Sequence, residues 1–201
     1  MDIELLYDKA SKNVSLDKED AEAFPEVNLE VDQLNILVSD YISNGADVPP
    51  VPTPANFNQN ISKMVKKLYE GGVKSFKKKK YTDAVKQFNI GIEMILRRHK
   101  FESFQGTLQE LSLFLVSRAD SYLSEENYLK AFNDADLLLT LQLNDPDNFL
   151  RRGVANFFLG NYEDAKADYE RGLTFDATNE RLKTELEVCK RRLLEENGDC
   201  L

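Results

Sequence analysis

One spacing constrains this chain more than any other feature. The segment Tyr128-Leu129-Lys130-Ala131-Phe132 returns 34 residues later as Tyr162-Glu163-Asp164-Ala165-Lys166, and Ala119 returns as Gly153 at the same distance. A further copy, Tyr81-Thr82-Asp83-Ala84-Val85, lies 47 residues upstream, which is the same period with 13 residues inserted. A period of this length belongs to a supersecondary unit that cannot bury its apolar face alone and must stack on its neighbours. Small residues let two helices cross closely. Gly72, Ala119 and Gly153 are therefore placed in the first helix of each unit, and Ala84, Ala131 and Ala165 in the second, with aromatics filling the groove beside each crossing. Downstream, Leu182, Leu186, Cys189 and Leu193 recur at helical spacing on an otherwise charged stretch. That is the pattern of a helix covering the last apolar face of an array.

The three units resemble tetratricopeptide repeats. The first carries Leu68, Gly72, Tyr81, Ala84, Phe88 and Gly91 at the spaced positions of that family; the second carries Leu115, Ala119, Tyr122, Tyr128 and Ala131; the third carries Phe149, Gly153, Tyr162, Ala165, Tyr169 and Gly172. Leu143 and Ala177 replace the proline that closes the consensus unit. The resemblance implies a mainly α fold, an α-solenoid of three helix pairs plus a capping helix. The insertion at 96–107, with Arg97, Arg98, His99 and Lys100, reads as a lengthened helix and a loop.

The N-terminal region breaks this pattern. Ile3, Leu5 and Tyr7 alternate with polar residues, Asn13-Val14-Ser15-Leu16 fits a returning strand, and residues 29–42 have helical spacing. A hairpin plus one helix is marginal alone and is expected to dock on something larger. Four of the six prolines, Pro49, Pro50, Pro52 and Pro54, follow it and hold the chain extended. The expected organisation is a small α/β docking segment at 1–50, a Pro-rich linker at 51–58 and a repeat domain at 59–201.

Charge is divided along the same lines. Of 201 residues, 26 are Lys or Arg and 35 Asp or Glu, a formal net charge of −9, which argues against nonspecific coating of nucleic acid or anionic lipid. Residues 1–55 hold 12 acids and 3 bases, residues 56–100 hold 3 acids and 12 bases, and the remainder is acidic again. The basic block coincides with the first repeat unit, so a local grip on an acidic partner stays open. The four lysines at 77–80 fall where a first helix ends, and cations there complement the helix dipole. No apolar run is long enough to span a membrane, and the start, Met-Asp-Ile-Glu, lacks the features of a signal peptide. Cys189 and Cys200 make no disulfide framework, which suits a reducing compartment. The single histidine, His99, lies in a basic run; no Cys/His metal spacing is present, and Gly71-Gly72 is a pair inside a helix and not a phosphate-cradling loop. Neither catalysis nor a cofactor is expected.

Stacked helix pairs present their first helices on a concave face that takes extended peptides. One subset of tetratricopeptide domains clamps the C-terminal carboxylates of heat-shock chaperones with five polar or cationic residues. The matching positions here are Tyr69, Val73, Ser117, Asp147 and Arg151, of which only Arg151 fits, with Ser117 a partial substitute. Lys63 and Lys66, one turn apart on the first helix, are the nearest alternative cations, with Lys74 behind them. Tyr69, Val73 and Leu150 are read as groove-facing packing. The expected peptide-binding set is Lys63, Lys66, Tyr69, Val73, Ser117, Leu150 and Arg151.

A more specific likeness covers nearly the whole chain. It rests on Val31-Asp32-Gln33-Leu34-Asn35-Ile36-Leu37, the Pro-rich linker, Ser62-Lys63-Met64-Val65-Lys66-Lys67-Leu68-Tyr69-Glu70-Gly71-Gly72, Gly91-Ile92-Glu93-Met94 and Glu170-Arg171-Gly172-Leu173. Together these resemble the small cytosolic tetratricopeptide subunit of the fungal post-translational translocation complex of the endoplasmic reticulum. The resemblance implies a non-catalytic peripheral subunit on the cytosolic face of that membrane. It would be held by a membrane-anchored glycoprotein and lie beside a J-domain subunit. Its groove would receive the C-terminal tails of heat-shock-seventy chaperones and so deliver precursors to the channel. The alternatives are a structural assembly subunit and another peptide-binding co-chaperone.

Overall fold

The computed structural model describes residues 3–43, 59–98 and 104–196. The chain divides into two compact units, one N-terminal and one built from the repeats. The linker expected at 51–58, together with His99 and Cys200, lies outside the described residues.

In the N-terminal unit, β1 (Leu5–Asp8) and β2 (Asn13–Leu16) pair antiparallel, with Leu5 opposite Leu16 and Asp8 opposite Asn13. The turn is closed by the Asp8 carboxylate, which accepts from the Ala10 N–H at 2.9 Å and the Ser11 hydroxyl at 2.6 Å. These bonds hold the Asp8 carboxyl below its ordinary range. Lys12 takes the left-handed conformation, φ 60°. A short helix absent from the sequence reading, α1 (Lys18–Ala23), is capped by Asp17, whose side chain accepts from the Asp20 N–H at 2.8 Å. The expected long helix is α2 (Pro25–Ser43), started by a proline whose missing N–H costs nothing there. Asn35 on α2 accepts the Val14 N–H at 2.8 Å and donates to the Val14 carbonyl at 2.7 Å, satisfying the free edge of β2. The core is small: Leu16, Val31 and Leu37. The alternation in β1 does not bury a face, because Leu5, Leu6 and Tyr7 are all exposed. A two-stranded sheet against one helix has too little interior for both sides of its outer strand.

In the repeat unit the helices pair as α3 (Gln59–Lys77) with α4 (Tyr81–Leu96), α5 (Phe104–Ser124) with α6 (Tyr128–Leu141), and α7 (Pro146–Phe158) with α8 (Tyr162–Phe175), followed by α9 (Glu180–Glu196). Each small residue sits where the period placed it. A Cβ added to Gly153 would stand 2.5 Å from the Tyr169 ring, and one on Gly72 would run into the Phe88 ring. Close crossing therefore depends on the missing methyl. The ring of Phe88 meets Phe114 edge-on at 5.9 Å, and Tyr69 leans on both, which joins the first unit to the second. At the far end, Leu182, Leu186 and Cys189 of α9 are buried with Leu150, Ala165 and Tyr169, as the capping pattern requires.

The turns inside the three pairs share one geometry. Lys79, Glu126 and Gly160 occupy the same repeat position, and all three have positive φ, at 58°, 59° and 84°. Only the third unit meets this need with glycine. Lys79, within the lysine run, is thus the residue that turns the chain out of α3.

The insertion lengthens mainly α5, which has 21 residues against 13 in α7. Arg98, at the end of α4, is 4% exposed. It pairs with Glu110 in the added part of α5 at 2.6 Å and donates to the Ser62 hydroxyl at 3.0 Å. Within the insertion read as a lengthened helix and a loop, this cation ties three helices together.

Candidate peptide-binding groove

The first helices of the pairs, with α9, enclose a hollow of about 400 Å³. Phe76 comes from α3, Asp120 and Leu123 from α5, Leu150, Arg151 and Val154 from α7, and Arg181 from α9. A second hollow, about 390 Å³, lies along α3 itself. It is lined by the apolar Tyr69 and Val73, by the cations Lys74, Lys77 and Lys78, and by one acid, Glu70.

The residues expected from sequence are distributed unevenly over these hollows. Arg151 lines the first, but its fork is occupied: Nε lies 2.8 Å from Asp120 Oδ1, and Nη1 donates to Asn148 Oδ1 at 3.1 Å. Asp147, one of the five positions that match the clamp, lines the same hollow as an acid. Leu150 is 4% exposed and belongs to the core beneath α9 while touching the hollow with its edge. The Ser117 hydroxyl donates to the Leu113 carbonyl of its own helix at 3.0 Å. Tyr69 and Val73 are half-buried and share the second hollow. Lys63 and Lys66 are exposed on α3 and line neither hollow; Lys66 lies 4.0 Å from Glu70. The cations beside Tyr69 and Val73 are Lys74, Lys77 and Lys78.

Sequence reading missed a second polar repeat. Arg118 forks onto Asp134 at 2.6 and 2.8 Å, and Arg152 forks onto Asp168 at 2.5 and 3.1 Å. Each arginine also reaches the preceding pair, Arg118 to Asn89 at 2.8 Å and Arg152 to Asp136 at 2.6 Å. Burial pushes the Asp134 carboxyl up, opposed by the Arg118 guanidinium. The signal was present, since Arg118 and Arg152, like Asp134 and Asp168, are 34 residues apart. In the first unit these places are held by Gly71 and Gln87, and Gln87 donates to Ser75 at 3.2 Å.

No family model matches the chain. Over 84% of its length, however, it is 36% identical to the translocation protein SEC72 of Saccharomyces cerevisiae, covering 86% of that protein. The chain belongs to the Sec72 family. A chain of the Sec complex from S. cerevisiae, solved by cryo-EM, superposes on it with a TM-score of 0.73 and 34% identity, over 96% of this chain and 100% of that one. The family resemblance read from sequence is therefore borne out, and it spans both the N-terminal unit and the repeats. The repeats are also similar to the second TPR domain of human RPAP3, solved with the HSP70 peptide SGPTIEEVD. That match has a TM-score of 0.55 and 27% identity over 65% of this chain and 98% of that one. Among the described residues, no helix is long and apolar enough to cross a membrane.

Proposed function

We propose that the chain is a non-catalytic, peripheral subunit of a post-translational translocation complex on the cytosolic face of the endoplasmic reticulum, and that its groove docks C-terminal tails of heat-shock-seventy chaperones to deliver precursors to the channel. The observation that carries this reading is the end-to-end match to a chain of the Sec complex. The RPAP3 domain, which binds an HSP70 peptide, supports the choice of ligand. Within the groove, Tyr69 and Val73 offer an apolar surface for an aliphatic side chain, while Lys74, Lys77 and Lys78 offer charge to the acids beside it. Lys63 and Lys66 extend this positive face along α3, while Ser117 and Arg151, engaged by Leu113 and Asp120, meet a ligand only by exchanging those partners. Capture of this kind is weak and salt-dependent, which suits hand-over.

The test is titration of the peptide SGPTIEEVD against the full chain at low and high salt. Binding that weakens steeply with salt is expected; no binding at low salt overturns tail docking. A structural role in assembly accompanies this one, favoured by the exposed Leu5, Leu6, Tyr7, Leu29 and Ile36 of the N-terminal unit. Leu5→Asp with Tyr7→Asp is expected to release the chain from its membrane-anchored glycoprotein and J-domain partners while leaving peptide binding intact. Co-purification from solubilised membranes reads the first effect, and the titration reads the second.

A further inference from the structure

The hollow between α3, α5, α7 and α9 holds two arginines in different electrostatic states. Arg151 is committed: Asp120 takes its Nε at 2.8 Å, and its Nη2 lies 3.4 Å from the other Asp120 oxygen. An incoming carboxylate gains from Arg151 only by displacing Asp120, which exchanges one carboxylate for another. Arg181 lines the same hollow, is exposed, and has no ion pair or hydrogen bond among the described residues. Its five N–H donors are therefore open to a ligand.

The place of Arg181 in its own helix strengthens the point. It is the second residue of α9, where the positive end of the helix dipole disfavours a cation. The first turns of α4, α7 and α8 carry acids and no cation, Asp83, Asp147, and Glu163 with Asp164, whereas α9 sets Arg181 directly after its own first-turn acid, Glu180. Helix stability thus does not account for an arginine at 181. A planar guanidinium beside the apolar walls of Leu123, Leu150 and Val154 is suited to a bidentate grip on a carboxylate carried next to an aliphatic side chain. Asp147 on the same lining adds one negative charge, so the hollow suits a single carboxylate better than a cluster of acids.

We propose that Arg181, on the capping helix, is the residue that grips the terminal carboxylate of an acidic peptide tail, with Arg151 held in reserve by Asp120. This rests on the tail-docking reading above. The test uses the full chain and SGPTIEEVD in two forms, with a free C-terminus and with a C-terminal amide. Arg181→Ala is expected to weaken the free-acid peptide about tenfold. The same substitution leaves the amide close to its affinity for the unsubstituted chain, because the partner of Arg181 is already gone. Arg181→Lys retains part of the affinity, and Arg151→Ala costs less than Arg181→Ala. Thermal unfolding of Arg181→Ala is expected to be unchanged or slightly later, since the dipole conflict is removed.

The proposal is overturned if the unsubstituted chain binds the free acid but Arg181→Ala binds it equally well, or if Arg181→Ala weakens acid and amide by the same factor. Failure of the unsubstituted chain to bind either peptide overturns tail docking itself, and this proposal with it.

Discussion

The first and third repeat units share one plan and use charge in opposite ways. In both, a glycine on the first helix admits a ring from the second, Phe88 over Gly72 and Tyr169 over Gly153. In the third unit both arginines of the first helix are committed to structure, Arg152 to Asp168 and Asp136, Arg151 to Asp120. In the first unit Gly71 stands where Arg152 would be, and of the charged residues lining the second hollow Glu70 pairs with Lys66, while Lys74, Lys77 and Lys78 make no ion pair among the described residues. The number of cations in a unit therefore says little about its capacity for anions. What matters is how many remain unpaired, because a paired arginine brings an incoming carboxylate almost no net gain.

Substitutions at matching positions break or sharpen this contrast, and the largest effect is expected at Arg152. Arg152→Ala leaves Asp168, with 6% of its side chain exposed, without its cation, and is expected to cost about 3 kcal/mol in urea unfolding. Gln87→Ala, at the matching join in the first unit, removes one neutral hydrogen bond and is expected to cost about 1 kcal/mol. Equal losses would mean that the two joins are equivalent after all. Gly72→Ala and Gly153→Ala should each cost about 2 kcal/mol, since both methyls meet a buried ring. A wide gap between them would show that the shared plan is not equally tight at both ends.

Ligand binding separates the units differently. Replacing Lys74, Lys77 and Lys78 together by Ser should weaken an acidic peptide about fivefold and flatten its salt dependence. Asp120→Asn, which frees Arg151, should tighten the same peptide about threefold. The turns allow a comparison across all three units. Lys79→Gly and Glu126→Gly relieve left-handed strain and should each raise stability by about 1 kcal/mol in denaturant melts, whereas Gly160→Ala should lower it by a similar amount.

Most of the fold was legible because it is periodic. The 34-residue recurrence of small residues placed six helices in pairs, and the spacing of Leu182, Leu186, Cys189 and Leu193 placed the seventh. The helix α1 was not legible, since six residues hold too little pattern and depend on the Asp17 cap. The groove was only half legible. Family positions led to Arg151, but whether its fork is free depends on Asp120, 31 residues away and on another helix. Arg181 stands 34 residues after Asp147, so the period did point to it, but it lies beyond the last repeat unit and was passed over. The Arg118–Asp134 and Arg152–Asp168 pairs had a signal at the right period, masked because charged residues are ordinarily read as surface.

Cys189 lies fully buried on the inner face of α9, its Sγ 3.2 Å from the Tyr162 carbonyl, and burial pushes the thiol up. A neutral, enclosed thiol does not react with an alkylating reagent, so modification has to wait until α9 lifts away. With Cys200 replaced by serine, the labelling rate at Cys189 becomes a clock for that opening. The molecule thus carries its own reporter of how often the end of the array comes undone, and a peptide seated against Arg181 should slow the clock.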